Sequence, residues 1–135
     1  MTYNDGISFA KEKGYIVKEY ASHLKAFSGV VGPTCAIAIN HELLAPGEEK
    51  TVLFHELGHC ETGSFYNQHS PYDVRQKHEN RADKWAIKKL VPEDEMDAAV
   101  LDGHVEIWDL AELFGVTEDF MRKAVTWYNT GNISA

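Results

Sequence analysis

Cysteine is scarce in this sequence, and long apolar runs are missing. The 135 residues include only two cysteines, Cys35 in a strand-like run and Cys60 in a helical pattern. Two cysteines are too few for the disulfide framework of a small secreted domain, so both are predicted to be reduced thiols. The longest clean apolar run is "CAIAI", residues 35–39, which is far too short to cross a bilayer. No membrane association is therefore expected.

The first residues, "MTYNDGISFAKEKG", also lack the basic segment and apolar stretch of a secretory leader, and a cytoplasmic location is expected. Basic side chains are few as well: 13 Lys and Arg stand against 21 Asp and Glu, a formal net charge of −8. Because phosphate binding needs clustered Lys and Arg, direct nucleic-acid binding is not expected. A hydrophobic fraction of 44% is nevertheless enough for a buried core.

The hydrophobic pattern is strand-like in the first third of the chain and helical afterwards. A short helix at about 6–13 precedes the strand-like "YIVKEY", and "FSGVVG" and "TCAIAIN" flank Gly32-Pro33 as in a hairpin. From Pro46 onward, helices are expected at about 46–62, 73–91, 93–101, 105–114 and 117–128, with Asp73 as the N-cap of the second. The predicted class is α+β, with a small antiparallel sheet packed on a mainly helical part. One domain of residues 1–135 is expected, with a sheet-rich part (1–45), two site helices (46–92) and C-terminal helices (93–129).

The stretch "TVLFHELGHCETG", residues 51–63, places two histidines four residues apart in a helical pattern. On a helix His55 and His59 project side by side from one face, and two imidazoles so placed can share one metal ion. Glu56 is offset around the helix and can reach a water on the metal, as in zinc hydrolases. Gly58 leaves room for another backbone. Apolar flanks and the helical context disfavour the alternative, a chance pair of surface histidines.

A catalytic zinc usually takes a third protein ligand, and several residues downstream are candidates. Glu79 is preferred because it lies twenty residues after His59 on the next helix, which a loop can turn back across the first. Asp83, one helical turn later, could accept a hydrogen bond from the second nitrogen of a ligand histidine. The alternative for this acidic pair is a solvated face. The other candidate ligands are Glu61, His69, which would complete a three-histidine site, Asp73 and His78.

Donors to the oxyanion that forms when water attacks an amide are also needed in a peptidase site. The residues around the predicted loop offer four of them, and the sequence does not choose among them: Tyr66, His69, Arg75 and His78.

With these residues identified, the chain resembles the ImmA/IrrE family of metallopeptidases. The resemblance rests on "HELGH" at 55–59, on "ENRADKWA" at 79–86 and on the "LVP" that follows, and it extends from about Tyr15 to Val125. The first motif occurs in many metallopeptidases, whereas its pairing with the second is considerably more specific. Members of the family process repressors of phages, mobile elements and stress responses.

The resemblance implies a zincin-like domain in which His55, His59 and Glu79 bind Zn²⁺ and Glu56 is the catalytic base, a gluzincin-like set. It also implies an activity: a zinc endopeptidase of the phage or mobile-element anti-repressor type, which cuts a helix-turn-helix repressor. The alternative function is a non-catalytic regulatory module of the same architecture that binds a repressor or another protein partner.

The segment "EIWDLAELFGVTEDFMRKAV" near the C-terminus has the pattern of a helix-turn-helix. No Lys or Arg lies between Lys89 and Arg122, however, and residues 93–119 contain ten acidic side chains, which would repel phosphates. A packing role is predicted for these two helices instead. Their acidic outer face could bind a basic repressor, but a face that only contacts solvent is favoured. The expected core residues are Trp108, Leu110, Leu113, Phe114, Phe120 and Met121.

Overall fold

A three-stranded sheet in the N-terminal third is followed by a mainly helical region. The computed structural model describes residues 1–67 and 69–133. Its N-terminal elements are α1 (Tyr3–Lys13), β1 (Ile16–Glu19), β2 (Ala26–Val31), β3 (Thr34–Ile39) and a short 3-10 helix (His41–Leu43). The helices that follow are α2 (Glu49–Thr62), α3 (Tyr72–Leu90), α4 (Glu93–Leu101), α5 (Ile107–Phe114) and α6 (Glu118–Thr130). The predicted α+β class is confirmed.

The sheet has the strand order β1-β3-β2, so β2 is an edge strand. The predicted hairpin is confirmed: β2 and β3 are antiparallel, and they are joined through Gly32, whose φ of 59° suits glycine. β1 differs from the expected antiparallel arrangement because it pairs in parallel with β3, with Ile16 opposite Ala36. The composition of a strand does not show which strand it pairs with. Here the chain leaves β1 at one edge of the sheet and crosses to the opposite edge to form β2.

Helix starts differ from the predicted positions where local hydrogen bonds or turns intervene. α1 begins early because the side chains of Thr2 and Asp5 form a capping box. α2 begins at Glu49 rather than Pro46, since Gly47 adopts a left-handed conformation with φ 82°. The prediction of Asp73 as an N-cap is wrong, because α3 starts directly after Pro71, with Asp73 in its first turn.

One hydrophobic cluster of buried residues includes members of α1, β3 and all five later helices. Three of the expected core residues, Leu110, Phe120 and Met121, are buried, and Phe114 packs against the cluster. Trp108 and Leu113 are 58% and 52% exposed, so their prediction as core is wrong. Trp108 and Glu112 are four residues apart on α5, as are Asp109 and Leu113, so both apolar residues lie beside acidic ones on the solvent-facing side of the helix.

A disulfide joins Cys35 of β3 to Cys60 of α2, with the two Cα atoms 5.9 Å apart. The prediction of two reduced thiols is therefore wrong. The contexts of these residues are unrelated in the sequence, and only packing brings β3 and α2 together. Disulfides persist mainly in oxidising compartments, so this bond and the predicted cytoplasmic location point to different redox environments.

Replacing both cysteines by alanine is expected to lower the free energy of unfolding by about 3 kcal/mol. The bond restricts the unfolded chain across a sequence separation of 25 residues. Urea unfolding followed by tryptophan fluorescence would measure the difference between oxidised wild type and the double variant. Wild type kept in reductant is the control and should unfold with the variant. Coincident curves for oxidised and reduced wild type would contradict the prediction.

In the ranges 1–67 and 69–133, no helix has both the length and the apolar content that a membrane span requires.

Candidate metal centre

Gly58 allows α2 and α3 to approach closely. A Cβ atom built on Gly58 would lie 2.4 Å from the carbonyl oxygen of Ala82, a distance that real Cβ atoms essentially never show. The glycine therefore leaves room for the backbone of α3, as its position in the motif predicts. Across this contact, the two histidines of α2 face the acidic residues of α3.

Residues 1–67 and 69–133 contain one cluster of possible metal ligands, which consists of His55, His59 and Glu79. One ligand atom from each residue lies within 4.8 Å of the others. Nε2 of His55 is 2.8 Å from Oε2 of Glu79, and Nε2 of His59 is 3.2 Å from Oε1 of the same carboxylate. The imidazole rings stand nearly perpendicular, at 86°. Both Nε2 atoms are therefore directed toward one carboxylate.

The second nitrogen of each imidazole is held by another group. Nδ1–H of His55 donates to Oδ1 of Asp83 at 2.6 Å, and Nδ1–H of His59 donates to the carbonyl oxygen of Ser64 at 2.6 Å. Asp83 is only 4% exposed, and its other oxygen accepts from Nζ of Lys123 on α6 at 3.0 Å. Such partners fix the tautomer and orientation of a histidine and leave Nε2 for a metal.

Hydrogen bonds between the imidazoles and the carboxylates of the cluster shift their pKa values in opposite directions. Burial lowers the pKa of His55, but hydrogen bonds to Asp83 and Glu79 outweigh it and raise the pKa to about 10. Burial raises the pKa of Glu79, but hydrogen bonds from His55, His59 and Tyr66 outweigh it, so its pKa is well below the usual value. The carboxylate thus stabilises positive charge at the Nε2 atoms. A divalent cation could replace those protons, since metal binding releases protons from its ligands.

Glu56 is 7% exposed and lies on the same turn of α2 as His55, but it has a different partner. Its Oε1 accepts a hydrogen bond of 2.7 Å from Oγ of Ser28 on the edge strand β2. Glu56, His59, Glu79 and Ser28 all line one cleft of about 300 Å³. The cleft also has apolar walls, which come from Leu24, Ala26, Phe27 and Phe65.

The four predicted oxyanion donors occupy different places. Tyr66 lines the cleft, and its hydroxyl donates to Oε1 of Glu79 at 2.6 Å. Burial and this hydrogen bond raise the pKa of Tyr66 to about 12, which keeps the hydroxyl a donor. His78 stacks on the Tyr66 ring, the Arg75 guanidinium lies over the ring of Tyr72, and His69 is exposed in the loop. The structure therefore brings Tyr66 closest to the chemistry of the cluster.

Three contacts of the site are absent from the sequence predictions: Ser28, the carbonyl of Ser64 and Lys123. Ser28 is one small polar residue in an apolar strand, and nothing in its pattern shows that β2 lies against α2. The Ser64 contact depends on the backbone just after Gly63, where the left-handed conformation, φ 64°, turns the chain back toward His59. Gly63, which directly follows α2, is the residue from which the sequence could have predicted such a turn.

The other two downstream acids lie outside the cluster. Glu61 accepts a hydrogen bond from the hydroxyl of Tyr15 and pairs with Lys13, whose Nζ is 3.5 Å away. Asp73 is exposed near the start of α3. Glu61, an acidic residue of α2 outside the cluster, is therefore a suitable control position for substitutions of Glu79.

A model of a known protein family matches most of the chain. The family is Peptidase_M78, described as the IrrE N-terminal-like domain, and the match covers residues 11–126. That range contains the histidine and carboxylate cluster, the edge strand β2 and most of α6. No similar protein was found among curated proteins or solved structures.

Proposed function

Because this chain belongs to the IrrE N-terminal-like family of peptidases, we propose that it is a zinc-dependent endopeptidase that cuts a helix-turn-helix repressor. The family membership confirms the resemblance to ImmA/IrrE proteins and supports a metallopeptidase function. The convergence of His55, His59 and Glu79 is the observation that carries the zinc proposal. Two imidazole nitrogens and one carboxylate are the donor set of many catalytic zinc sites, which leave one position for water.

The proposed ligands are Nε2 of His55, Nε2 of His59 and the carboxylate of Glu79. The hydrogen bonds to Asp83 and the Ser64 carbonyl support this assignment, because they occupy both Nδ1 atoms. When bound, zinc would act as a Lewis acid and lower the pKa of water toward neutrality. The Glu79 carboxylate is also held in place, because the hydroxyl of Tyr66 donates a hydrogen bond to its Oε1 from the side of the cleft.

Glu56 is the proposed general base. It would accept a proton from the attacking water as the new C–O bond forms, and it would then give that proton to the leaving amine as the C–N bond breaks. Ser28 holds the carboxylate at the wall of the cleft. The hydroxyl of Tyr66 lines the same cleft and is the proposed donor to the developing oxyanion. Its single O–H, which donates to Oε1 of Glu79 in this structure, would turn to the oxyanion when that carboxylate binds zinc.

The substrate is proposed to bind in an extended form along β2. This strand pairs with β3 on one side, and within the described ranges no strand pairs with its other edge. An extended peptide can add to such an edge through main-chain hydrogen bonds. Leu24, Phe27 and Phe65 would then contact apolar side chains near the scissile bond. The family relationship supports the choice of a repressor as the protein that is cut.

We also propose that the sheet-rich part, the two site helices and the C-terminal helices form one domain. Their buried residues belong to a single hydrophobic cluster. Lys123 of α6 further links the C-terminal helices to Asp83.

The proposal predicts about one zinc per chain in wild type and a large loss in the Glu79→Ala variant. The loss of affinity should exceed the roughly 10- to 100-fold that removal of a supporting partner typically costs. Elemental analysis after incubation with zinc and removal of free metal would measure it. Glu61→Ala is the matched control, because Glu61 is an acidic residue on α2 that pairs with Lys13, and it should retain the metal.

Absence of metal from wild type, or equal metal in Glu79→Ala and wild type, would contradict the proposed centre. Incubation with a repressor separates the two functions. Fragments that disappear with a chelator support the peptidase, whereas a stable complex without fragments favours the non-catalytic module.

A further inference from the structure

A groove of about 640 Å³ lies between α4, α5 and α6, and none of its lining residues belongs to the cleft of the metal centre. Its apolar lining includes Met96, Val100, Leu101, Val105, Ile107 and Val125. Three of these are well exposed: Leu101 at 89%, Val105 at 66% and Val100 at 44%. Contiguous apolar surface of this kind commonly marks a binding site for another protein.

The edge of this groove is acidic. Glu93 and Asp97 line it, and the sequence between Lys89 and Arg122 contains no Lys or Arg. Burial raises the pKa of the lining residue Tyr128 to about 12, and the charges of Glu93, Asp94 and Asp97 contribute to the shift. The groove thus combines an apolar floor with a negative field.

The nearest cations in sequence already have partners. Lys89 lies over the rings of Phe9 and Trp85, with Nζ 5.8 and 5.6 Å from their centroids. Lys88 lies over the ring of Trp127, with Nζ 5.7 Å from the ring centroid. Arg122 pairs with Asp119 at 3.0 Å, and Lys123 pairs with Asp83 at 3.0 Å. Glu93 and Asp97 line the groove, and neither carboxylate forms an ion pair within residues 1–67 and 69–133.

We propose that this groove docks an amphipathic helix with a basic face, supplied by a partner protein. Apolar side chains at positions i, i+3, i+4 and i+7 of such a helix would contact the floor between Met96, Leu101 and Val125. Lys or Arg on the flanks of the helix would pair with Glu93 and Asp97. The inference does not depend on the proposed peptidase function, because the groove and the catalytic cleft share no residue.

Charge distinguishes this occupant from a second copy of the chain. With a formal net charge of −8, two copies docked through their grooves would bring two acidic rims together. Juxtaposed like charges disfavour such an interface, whereas opposite charges favour a basic partner and speed its association.

The test uses a fluorescein-labelled amphipathic helix of about 18 Leu and Lys residues, since much shorter peptides form little helix in water. Fluorescence anisotropy would measure its binding to the full chain. Leu101→Gln and the double variant Glu93→Lys/Asp97→Lys are each expected to weaken binding at least about tenfold. These side chains are at the surface, and circular dichroism would verify that the variants fold.

Matched controls come from exposed residues outside the groove. Leu113→Gln changes an apolar side chain that is 52% exposed on α5. Glu12→Lys/Glu42→Lys changes two exposed acids outside the groove and shifts the net charge by as much as the double groove variant does. Both should bind the peptide like wild type. A peptide with Glu in place of Lys should not bind, because it would meet the acidic rim.

Three results would overturn the proposal. They are no binding by wild type, equal weakening by the groove variants and their controls, and equal binding of the Lys and Glu peptides. Sedimentation equilibrium of the chain alone adds a fourth: a dimer that Leu101→Gln dissociates would make the occupant a second copy.

Discussion

The Glu56→Gln protein is expected to bind zinc like wild type and to cut its protein substrate at least about 100-fold more slowly. The substituted amide has nearly the same shape as the carboxylate, and its oxygen can still accept the hydrogen bond from Ser28. It cannot, however, take a proton from water. Because Glu56 lies outside the cluster of His55, His59 and Glu79, metal content should not change.

The rate would be measured as the appearance of repressor fragments by mass spectrometry, with elemental analysis of the same preparation. Glu61→Gln makes the same chemical change on the same helix, at a residue whose partner is Tyr15 rather than the cleft, and it should cut at the wild-type rate. Cleavage by Glu56→Gln at the wild-type rate would show that another group is the base. Loss of zinc from Glu56→Gln would instead place Glu56 in the metal-binding set.

The Gly58→Ala substitution is expected to lower the free energy of unfolding by about 1–3 kcal/mol and to weaken zinc binding. Helix propensity alone predicts the opposite sign, since alanine stabilises an exposed helix interior by about 1 kcal/mol relative to glycine. Steric contact decides the sign here. The new Cβ would lie 2.4 Å from the oxygen and 3.0 Å from the carbonyl carbon and Cα of Ala82, and backbone atoms cannot rotate away.

The two effects of Gly58→Ala share one cause. α2 and α3 must separate to relieve the contact, and the ligands proposed for zinc lie on both helices. Urea unfolding and competition with a zinc chelator would measure stability and affinity. Gly29→Ala on β2 is the control, because a Cβ there meets nothing within 4 Å. Wild-type stability in Gly58→Ala would mean that the helices can separate without cost, and the close-approach argument would be wrong.

Several features of the fold and the site follow from local sequence alone. The spacing of His55 and His59, and of Glu79 and Asp83, determines a shared face because the period of a helix is a property of the backbone. The same holds for the β2–β3 hairpin, which needs only a short turn at Gly32-Pro33 between two apolar runs. The predicted α+β class depends on such local patterns, and the structure confirms it.

Contacts between elements are decided by tertiary packing, because the partners are distant in sequence and no local pattern records their approach. Ser28 meets Glu56 across 28 residues, and Lys123 meets Asp83 across 40. Tertiary packing also decides three other features: the parallel pairing of β1 with β3, the Cys35–Cys60 disulfide, and the position of Tyr66, rather than the other three candidate donors, beside the cluster. The sequence thus determined the helix faces that carry the candidate ligands, and packing of α3 and β2 against α2 determined which groups surround them.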